Sequence, residues 1–357
     1  MEIISDIEAL KAKIAACNEV LTTQGDDAMR AFFQTFKGDF SAQAPADPFS
    51  DAYRDFQIGL QEHICGRPYS PRNERTHFDL DAYAERPFPY YLKSFHTAGN
   101  YLMAVAYLLR AMDLPPGSRV LEFGPGWGET TINLALLGAE VTAVDIEPNF
   151  CALLRRRAEQ HRVAIDVVEA DFFWAETVTE PYDAVLFFES FHHCHDHLRL
   201  LRALRNAVKP GGQIIFGAEP IVADNDVAWG VSMAGNALWA MRNFGWLELG
   251  FDEGYFRAAL RHTGWTAEKL QSADVGYATV WKARHAGLGS MRDPEPAQPA
   301  ALPESPAPRI DGAAAPSIGA ACTTGREHRL EQELRAIYAS TSWRVTAPLR
   351  SLRRLLR

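Results

Sequence analysis

Between Ser118 and Gly217 short apolar runs alternate with helical stretches, and this alternation constrains the fold more than any other feature of the chain. Arg119–Phe123, Glu140–Asp145, Ile165–Ala170, Tyr182–Phe188 and Gln213–Gly217 read as strands. Helices fit the intervals: from the glycine-rich turn after Phe123 to about Leu137, Asn149 to Gln160, and Leu198 to Val208, the last closed by Lys209-Pro210-Gly211-Gly212. Strands that alternate with helices imply a parallel sheet covered on both faces. Such strands read as near-continuous apolar runs, as these do. A helix over Asp252–Thr263 and strands at Trp265–Ala267 and Tyr277–Lys282 extend the pattern. The expected fold is a doubly wound α/β domain with a mostly parallel, seven-stranded sheet. Its ligand site belongs at the carboxyl ends of the strands.

The flanks differ in kind. Ile7, Leu10, Ile14 and Leu21 recur at helical spacing, and Phe32, Phe33 and Phe36 follow, so residues 1–65 read as helical. Residues 66–97 carry Arg67-Pro68-Tyr69-Ser70-Pro71-Arg72 and Arg86-Pro87-Phe88-Pro89-Tyr90-Tyr91, an ordered loop with short turns. A helix fits Ala98–Met112. The division expected is a helical and Pro/aromatic-rich cap region over 1–97, the α/β domain over 98–285, a linker over 286–324 and a C-terminal tail over 325–357. The linker holds Pro294, Pro296, Pro299, Pro303, Pro306, Pro308 and Pro316 among many alanines, too little apolar surface to offset its ordering entropy, and is expected to be disordered. The tail is expected to be helical, basic and amphipathic, with Leu349, Leu352, Leu355 and Leu356 among arginines. That pattern suits an anionic membrane surface or a docking groove on a partner.

A formal net charge of −9 argues against a nucleic-acid partner, which needs a basic face. The five cysteines are irregularly spaced with no C-x-x-C pair, which reads as a reduced compartment. The first residues lack a basic start followed by an apolar run, and no stretch approaches the roughly 20 apolar residues of a membrane span. The expected location is the cytoplasm, with peripheral contact at the inner membrane face through the tail.

Chemistry enters at Glu122-Phe123-Gly124-Pro125-Gly126-Trp127-Gly128, directly after a strand and opening a helix. Alternate glycines let the backbone turn tightly and approach a ligand. A dinucleotide site has the spacing G-x-G-x-x-G. Here the spacing is G-x-G-x-G, and the acid ahead of it suits a ligand bearing an ammonium group better than a pyrophosphate. The E-x-G-x-G-x-G pattern resembles the first motif of class I S-adenosylmethionine-dependent methyltransferases, over about residues 95–285. The resemblance implies a Rossmann-like fold, S-adenosylmethionine as cofactor, and binding roles for Glu122, Gly124, Gly126 and Gly128. It implies that Asp145, at the end of the second strand, accepts both ribose hydroxyls, with Ile146 beside it. It places Asp171 and Phe172 at the adenine, and counts Glu189 to the same surface. Lys209-Pro210-Gly211-Gly212 resembles a frequent turn of the family.

The second constellation is Phe187 to His197, with His192, His193, Cys194, His195 and His197 just past the fourth strand. Three readings stand. A neutral imidazole, His192 or His193, takes the proton of a hydroxyl as a methyl group moves. Alternatively the cluster binds a metal, or it caps the next helix and fills the site wall. A divalent metal is compatible but not expected, because adjacent residues seldom converge on one ion and no distant Cys/His pair completes the set. Glu219, after the fifth strand, is a second base candidate, a hydroxyl or metal ligand, or a helix-entry residue. Trp229, Trp239, Arg242, Phe244 and Trp246 form either a substrate lid or an aromatic core, and Tyr90, Tyr91 and His96 raise the same question.

The segment Ile337–Arg350 resembles a tail found on bacterial enzymes of cell-surface polysaccharide assembly. It implies O-methylation of a sugar hydroxyl in a surface glycan or glycolipid precursor, with assembly enzymes as partners of the tail. The alternatives are a small-molecule O- or C-methyltransferase and a scaffold protein on the same fold.

Overall fold

The computed structural model describes residues 1–74, 78–92 and 94–286. The tail, and the linker beyond Ala286, lie outside the described residues. The elements before the large sheet are β1 (Glu2–Ile4), α1 (Ile7–Gln24), α2 (Asp26–Phe33), β2 (Phe36–Gly38), α3 (Asp51–Cys65), α4 (Leu80–Glu85) and α5 (Phe95–Met112). Then come β3 (Arg119–Phe123), α6 (Glu129–Leu136), β4 (Glu140–Asp145), α7 (Pro148–His161), β5 (Ile165–Glu169), β6 (Tyr182–Phe188), α8 (His197–Ala207) and β7 (Val208–Gly217). The remainder is β8 (Ile221–Val222), β9 (Trp229–Val231), α9 (Gly235–Phe244), β10 (Leu249–Asp252), α10 (Glu253–His262), β11 (Trp265–Gln271) and β12 (Thr279–His285).

The large sheet has seven strands in the order β11-β12-β7-β6-β3-β4-β5. Neighbours from β7 to β5 are parallel, and β12 runs antiparallel to both β7 and β11. The chain winds outward from β3 through β4 to β5, then returns to the other side of β3 for β6 and β7. The strand order therefore reverses at the β3/β6 boundary, where open α/β sheets bind ligands. Alternate residues serve opposite faces. Phe123, Val185, Phe187 and Phe216 join a core shared with α8, α10 and the N-terminal elements. Val120, Ala184, Leu186 and Ile215 join a second core under α5 and α7.

Local chemistry sets the boundaries. Ser94 accepts from the Thr97 amide at 3.3 Å, so α5 starts at Phe95 rather than at Ala98. Glu147 caps α7 by accepting from the Asn149 amide at 2.9 Å, with Pro148 at the first helical position. The wholly helical reading of residues 1–65 needs correction: β1 and β2 pair in parallel. Three-residue strands are too short to register as a period against the surrounding helices. Lys209-Pro210-Gly211-Gly212 lies within the bounds of β7, where the register against β6 jumps from Tyr182↔Val208 to Ala184↔Gln213. The expected turn is thus a looped-out irregularity in a longer strand.

The aromatic segment after β7 builds a three-stranded sheet of order β8-β10-β9 and packs α9 against the N-terminal elements. Trp229 donates its indole N–H to the Pro48 carbonyl at 2.8 Å, and Trp239 to Asn18 Oδ1 at 2.8 Å. Both rings are buried, so they belong to the core and not to a lid.

Candidate active site

At the β3/β6 boundary lies a cavity of about 950 Å³, counting its open mouth. Its floor comes from the ends of β3, β4 and β5. Gly124 and Gly126 follow β3 with φ of +63° and +52°. A Cβ on Gly124 would meet Ser190 Cβ at 2.6 Å, whereas one on Gly126 would meet nothing within 4 Å. Gly126 lines the cavity, so its missing side chain leaves room for a ligand.

Asp145 ends β4. Its Oδ2 accepts from the Gly126 amide at 3.2 Å and its Oδ1 from the Glu147 amide at 2.9 Å. Burial pushes its carboxyl up to about 6, against the pull of these hydrogen bonds. Ile146, Asp171, Phe172 and Glu189 line the same cavity. Asp171 also caps its own turn by accepting from the Phe173 amide at 2.9 Å.

Glu122 and Gly128 are not among the lining residues. Glu122 is buried below the loop, where Thr130 Oγ1 donates to Oε1 and Thr131 Oγ1 donates to Oε2 at 2.6 Å. Burial raises its carboxyl to about 7. Both oxygens tie α6 to β3, so the place expected at a ligand ammonium is a helix-to-strand tie. Gly128 sits against α7, where a Cβ would meet Leu154 Cδ1 at 2.6 Å.

The other end of the cavity is built after β6 and β7. Glu189 has φ +51° and starts a tight loop that leads into a short 3₁₀ turn over Phe191–His193. Ser190 Oγ donates to the Phe123 carbonyl at 2.8 Å and locks this loop to the glycine turn. Glu219, reaching in from beyond β7, accepts from the amides of Ser190 and Phe191 at 2.9 Å each and of His192 at 3.2 Å. Its Oε2 also lies 2.7 Å from His192 Nδ1. An ionised carboxylate only accepts, so Nδ1 carries a proton, and in the neutral ring the lone pair lies on Nε2. Burial would raise the Glu219 carboxyl, but the His192 ring and the amide donors outweigh it and hold it below the usual range.

His193 reaches the cavity wall. Its Nδ1 donates to the Leu247 carbonyl at 2.7 Å and lies 3.2 Å from Glu74 Oε2. Burial opposes its charge, yet the Glu74 carboxylate wins and lifts the ring to about 9. Of the other histidines, His195 also lines the cavity and His197 does not. His197 Nε2 meets Tyr255 Oη at 2.8 Å in the core, and burial drops its ring to about 3. His195 lies between Tyr69 and Phe173, and burial lowers its ring as well.

Tyr69, Pro71 and Glu74, from the proline-rich loop, and Trp246 complete the wall. Of these four only Trp246 stands out in the sequence as a site candidate; Tyr69, Pro71 and Glu74 do not. The residues it did raise from that region, Tyr90, Tyr91 and His96, do not line the cavity. Tyr90 donates to Glu129 Oε1 at 3.3 Å and His96 pairs with Asn100. Glu74 Oε1 accepts from the Leu247 amide at 2.8 Å, which pins the loop to the stretch carrying Trp246 and Glu248. Nothing local in the sequence marks that pairing.

A doubly wound sheet, a glycine turn, an acid at the end of β4 and a polar loop after β6 meet at this one cavity. Residues 120–212 match the methyltransferase domain family. Over 102 residues the chain is 35% identical to the ubiquinone biosynthesis O-methyltransferase of Xanthomonas campestris pv. campestris (strain B100), covering 28% of this chain and 43% of that protein. Over 134 residues it is 34% identical to the protein of the same name from Cereibacter sphaeroides, covering 38% and 51%. The chain thus spans about half the length of the curated relatives it matches. Among solved structures, the Burkholderia thailandensis 1,6-didemethyltoxoflavin-N1-methyltransferase with bound S-adenosylhomocysteine aligns at 18% identity and TM-score 0.39, over 59% of this chain and 92% of that one.

Proposed function

We propose that the chain is an S-adenosylmethionine-dependent methyltransferase acting on oxygen. The observation that carries this is one cavity with two ends. Gly126, Asp145 and Asp171 form a cradle for a nucleoside, and His193 and Glu74 stand at the far end, where an acceptor hydroxyl would meet the methyl group. The methyl carbon would leave the sulfonium in line as the oxygen attacks. The cavity's work is positioning, and the Glu74 carboxylate, beside His193 in its wall, takes the hydroxyl proton.

We further propose a sugar hydroxyl of a surface glycan or glycolipid precursor as acceptor. The carboxylates at the far end supply acceptors and the imidazole a donor for neighbouring hydroxyls, and the tail resembles those of polysaccharide-assembly enzymes. On that reading the tail recruits assembly enzymes or an anionic membrane surface, and the chain works in the cytoplasm. No helix among the described residues is long and apolar enough to cross a membrane. A phenolic acceptor is the second reading, favoured by the Tyr69 and Trp246 walls and by the names of the sequence relatives.

Calorimetry with S-adenosylhomocysteine tests the first step. One-to-one binding is expected, and a folded chain that binds none would leave a scaffold role instead. Mass spectrometry of the surface glycan with and without the protein tests the acceptor: a methyl difference is expected, and its absence beside turnover of a catechol would move the reading to phenols.

Asp145 adds a pH signature. Ribose hydroxyls donate to its carboxylate, and the free carboxyl takes up a proton near pH 6. Affinity for S-adenosylhomocysteine is therefore expected to hold above that pH and to fall by up to about tenfold per unit below it. Asp145→Asn, which cannot titrate, should flatten the profile and bind about tenfold or more weakly at neutral pH. A wild-type profile without that break would remove Asp145 from the ribose.

A further inference from the structure

We infer that His192, His193 and Glu248 form a divalent-metal site in the cavity wall, reached from the cavity through His193 with His192 and Glu248 buried behind it, a site that rests on the proposed methyl transfer for its purpose but not for its geometry. One donor atom from each of the three side chains lies within 4.8 Å of the other two. The objection available from sequence is that adjacent histidines diverge. The 3₁₀ turn over Phe191–His193 removes it by bringing the two rings to 4.2 Å between centroids, tilted by 38°. The third donor arrives from a distant segment: Glu248 Oε2 lies 3.8 Å from His192 Nε2.

Both rings are held in the tautomer that a metal requires. His192 Nδ1 is bonded to the Glu219 carboxylate and His193 Nδ1 to the Leu247 carbonyl. Each leaves Nε2 as the ligand atom, the His193 ring giving up its second proton as the ion binds. Metal-binding histidines commonly pass their other N–H to a carboxylate or backbone carbonyl in this way, which fixes the ring and raises its basicity. Three carboxylates, Glu219, Glu248 and Glu74, surround the two imidazoles, so the site offers negative charge for a dication. With bonds of about 2.0–2.2 Å, tetrahedral donors stand about 3.4 Å apart, so the side chains would close in by under about 1 Å each. Two imidazoles and a carboxylate suit zinc, cobalt or manganese, and three protein ligands leave a position for an acceptor oxygen.

The step would run as follows. The acceptor hydroxyl, polarised by the ion, gives its proton to the Glu74 carboxylate, which lines the same cavity. The oxygen lone pair forms the O–C bond. The C–S bond breaks with its electron pair left on sulfur, which becomes a neutral thioether. Nothing is oxidised or reduced.

Equilibrium dialysis of the full chain against Zn²⁺ tests the site, with Co²⁺ as a spectroscopic probe. One tightly held Zn²⁺ per chain is expected. Bound Co²⁺ should show ligand-field bands without a thiolate charge-transfer band, because Cys194 beside His193 would announce itself by that band. His192→Ala and Glu248→Gln should each weaken Zn²⁺ binding about tenfold or more while S-adenosylhomocysteine still binds, which shows that the variants fold. Absence of stoichiometric Zn²⁺ on a wild-type chain that binds S-adenosylhomocysteine overturns the metal site and leaves the methyltransferase reading standing. So does a thiolate band, or unchanged Zn²⁺ affinity in both variants. Zn²⁺ binding without any S-adenosylhomocysteine binding would do the reverse.

Discussion

Glu219→Ala is expected to cost about 3–5 kcal/mol of stability and to lower methyl transfer about 100-fold or more. The carboxylate is buried, and it receives three consecutive backbone amides and the Nδ1–H of His192. Truncation leaves all four donors in a dry interior, and each buried donor without a partner costs about 1–3 kcal/mol. The sum is capped because the loop would relax and admit water. Glu219→Gln separates the two roles. Its amide oxygen can still accept from the Ser190 and Phe191 amides, so most of the fold should survive. Its NH₂ group opposes the His192 donors, so the ring should shift its proton to Nε2 and lose the lone pair that faces Glu248. Urea denaturation and the rate of S-adenosylhomocysteine formation give the two readouts. The glutamine variant should be closer to wild type in stability than in rate. A rate that tracks stability in both variants would make Glu219 a structural residue and nothing more.

The sheet was largely legible in the sequence because parallel strands carry their signal locally. Val185, Leu186 and Phe187 are buried on both faces and read as an apolar run wherever they occur. Asp145 was equally legible, since its place follows from the strand that ends on it. The site wall was not. Glu74 and Leu247 belong to segments that meet only once α3, α9 and the proline-rich loop have packed, and no residue pattern in either segment announces the other. Glu122 shows a different failure. The acid was visible, but not the two threonines that occupy both its oxygens, because Thr130 and Thr131 point back at β3 only after the glycine turn has reversed the chain. The aromatic stretch failed through ambiguity of type. Trp229, Trp239 and Trp246 are alike in sequence, yet of the three only Trp246 lines the cavity.

Gly126→Ala should spare the fold and lose the ligand, the second large effect. Its φ of +52° lies in the left-handed region, where an L side chain costs roughly 1–2 kcal/mol. Apart from its own residue and its two chain neighbours nothing stands within 4 Å of the new methyl group, so no packing clash adds to that strain. The methyl would instead stand in the space that a nucleoside must enter. A loss of about 100-fold in S-adenosylhomocysteine affinity is expected, equivalent to ~2.7 kcal/mol. Gly124→Ala makes the contrast. Its Cβ would lie 2.6 Å from Ser190 Cβ, and Ser190 is tied to the Phe123 carbonyl, so the loop after β6 must move. That variant should lose stability and affinity together. Calorimetry and urea denaturation on both variants decide the matter. Wild-type affinity in Gly126→Ala would mean that the ligand does not approach this backbone, and the cradle would then have to be sought along Asp171 and Phe172 instead.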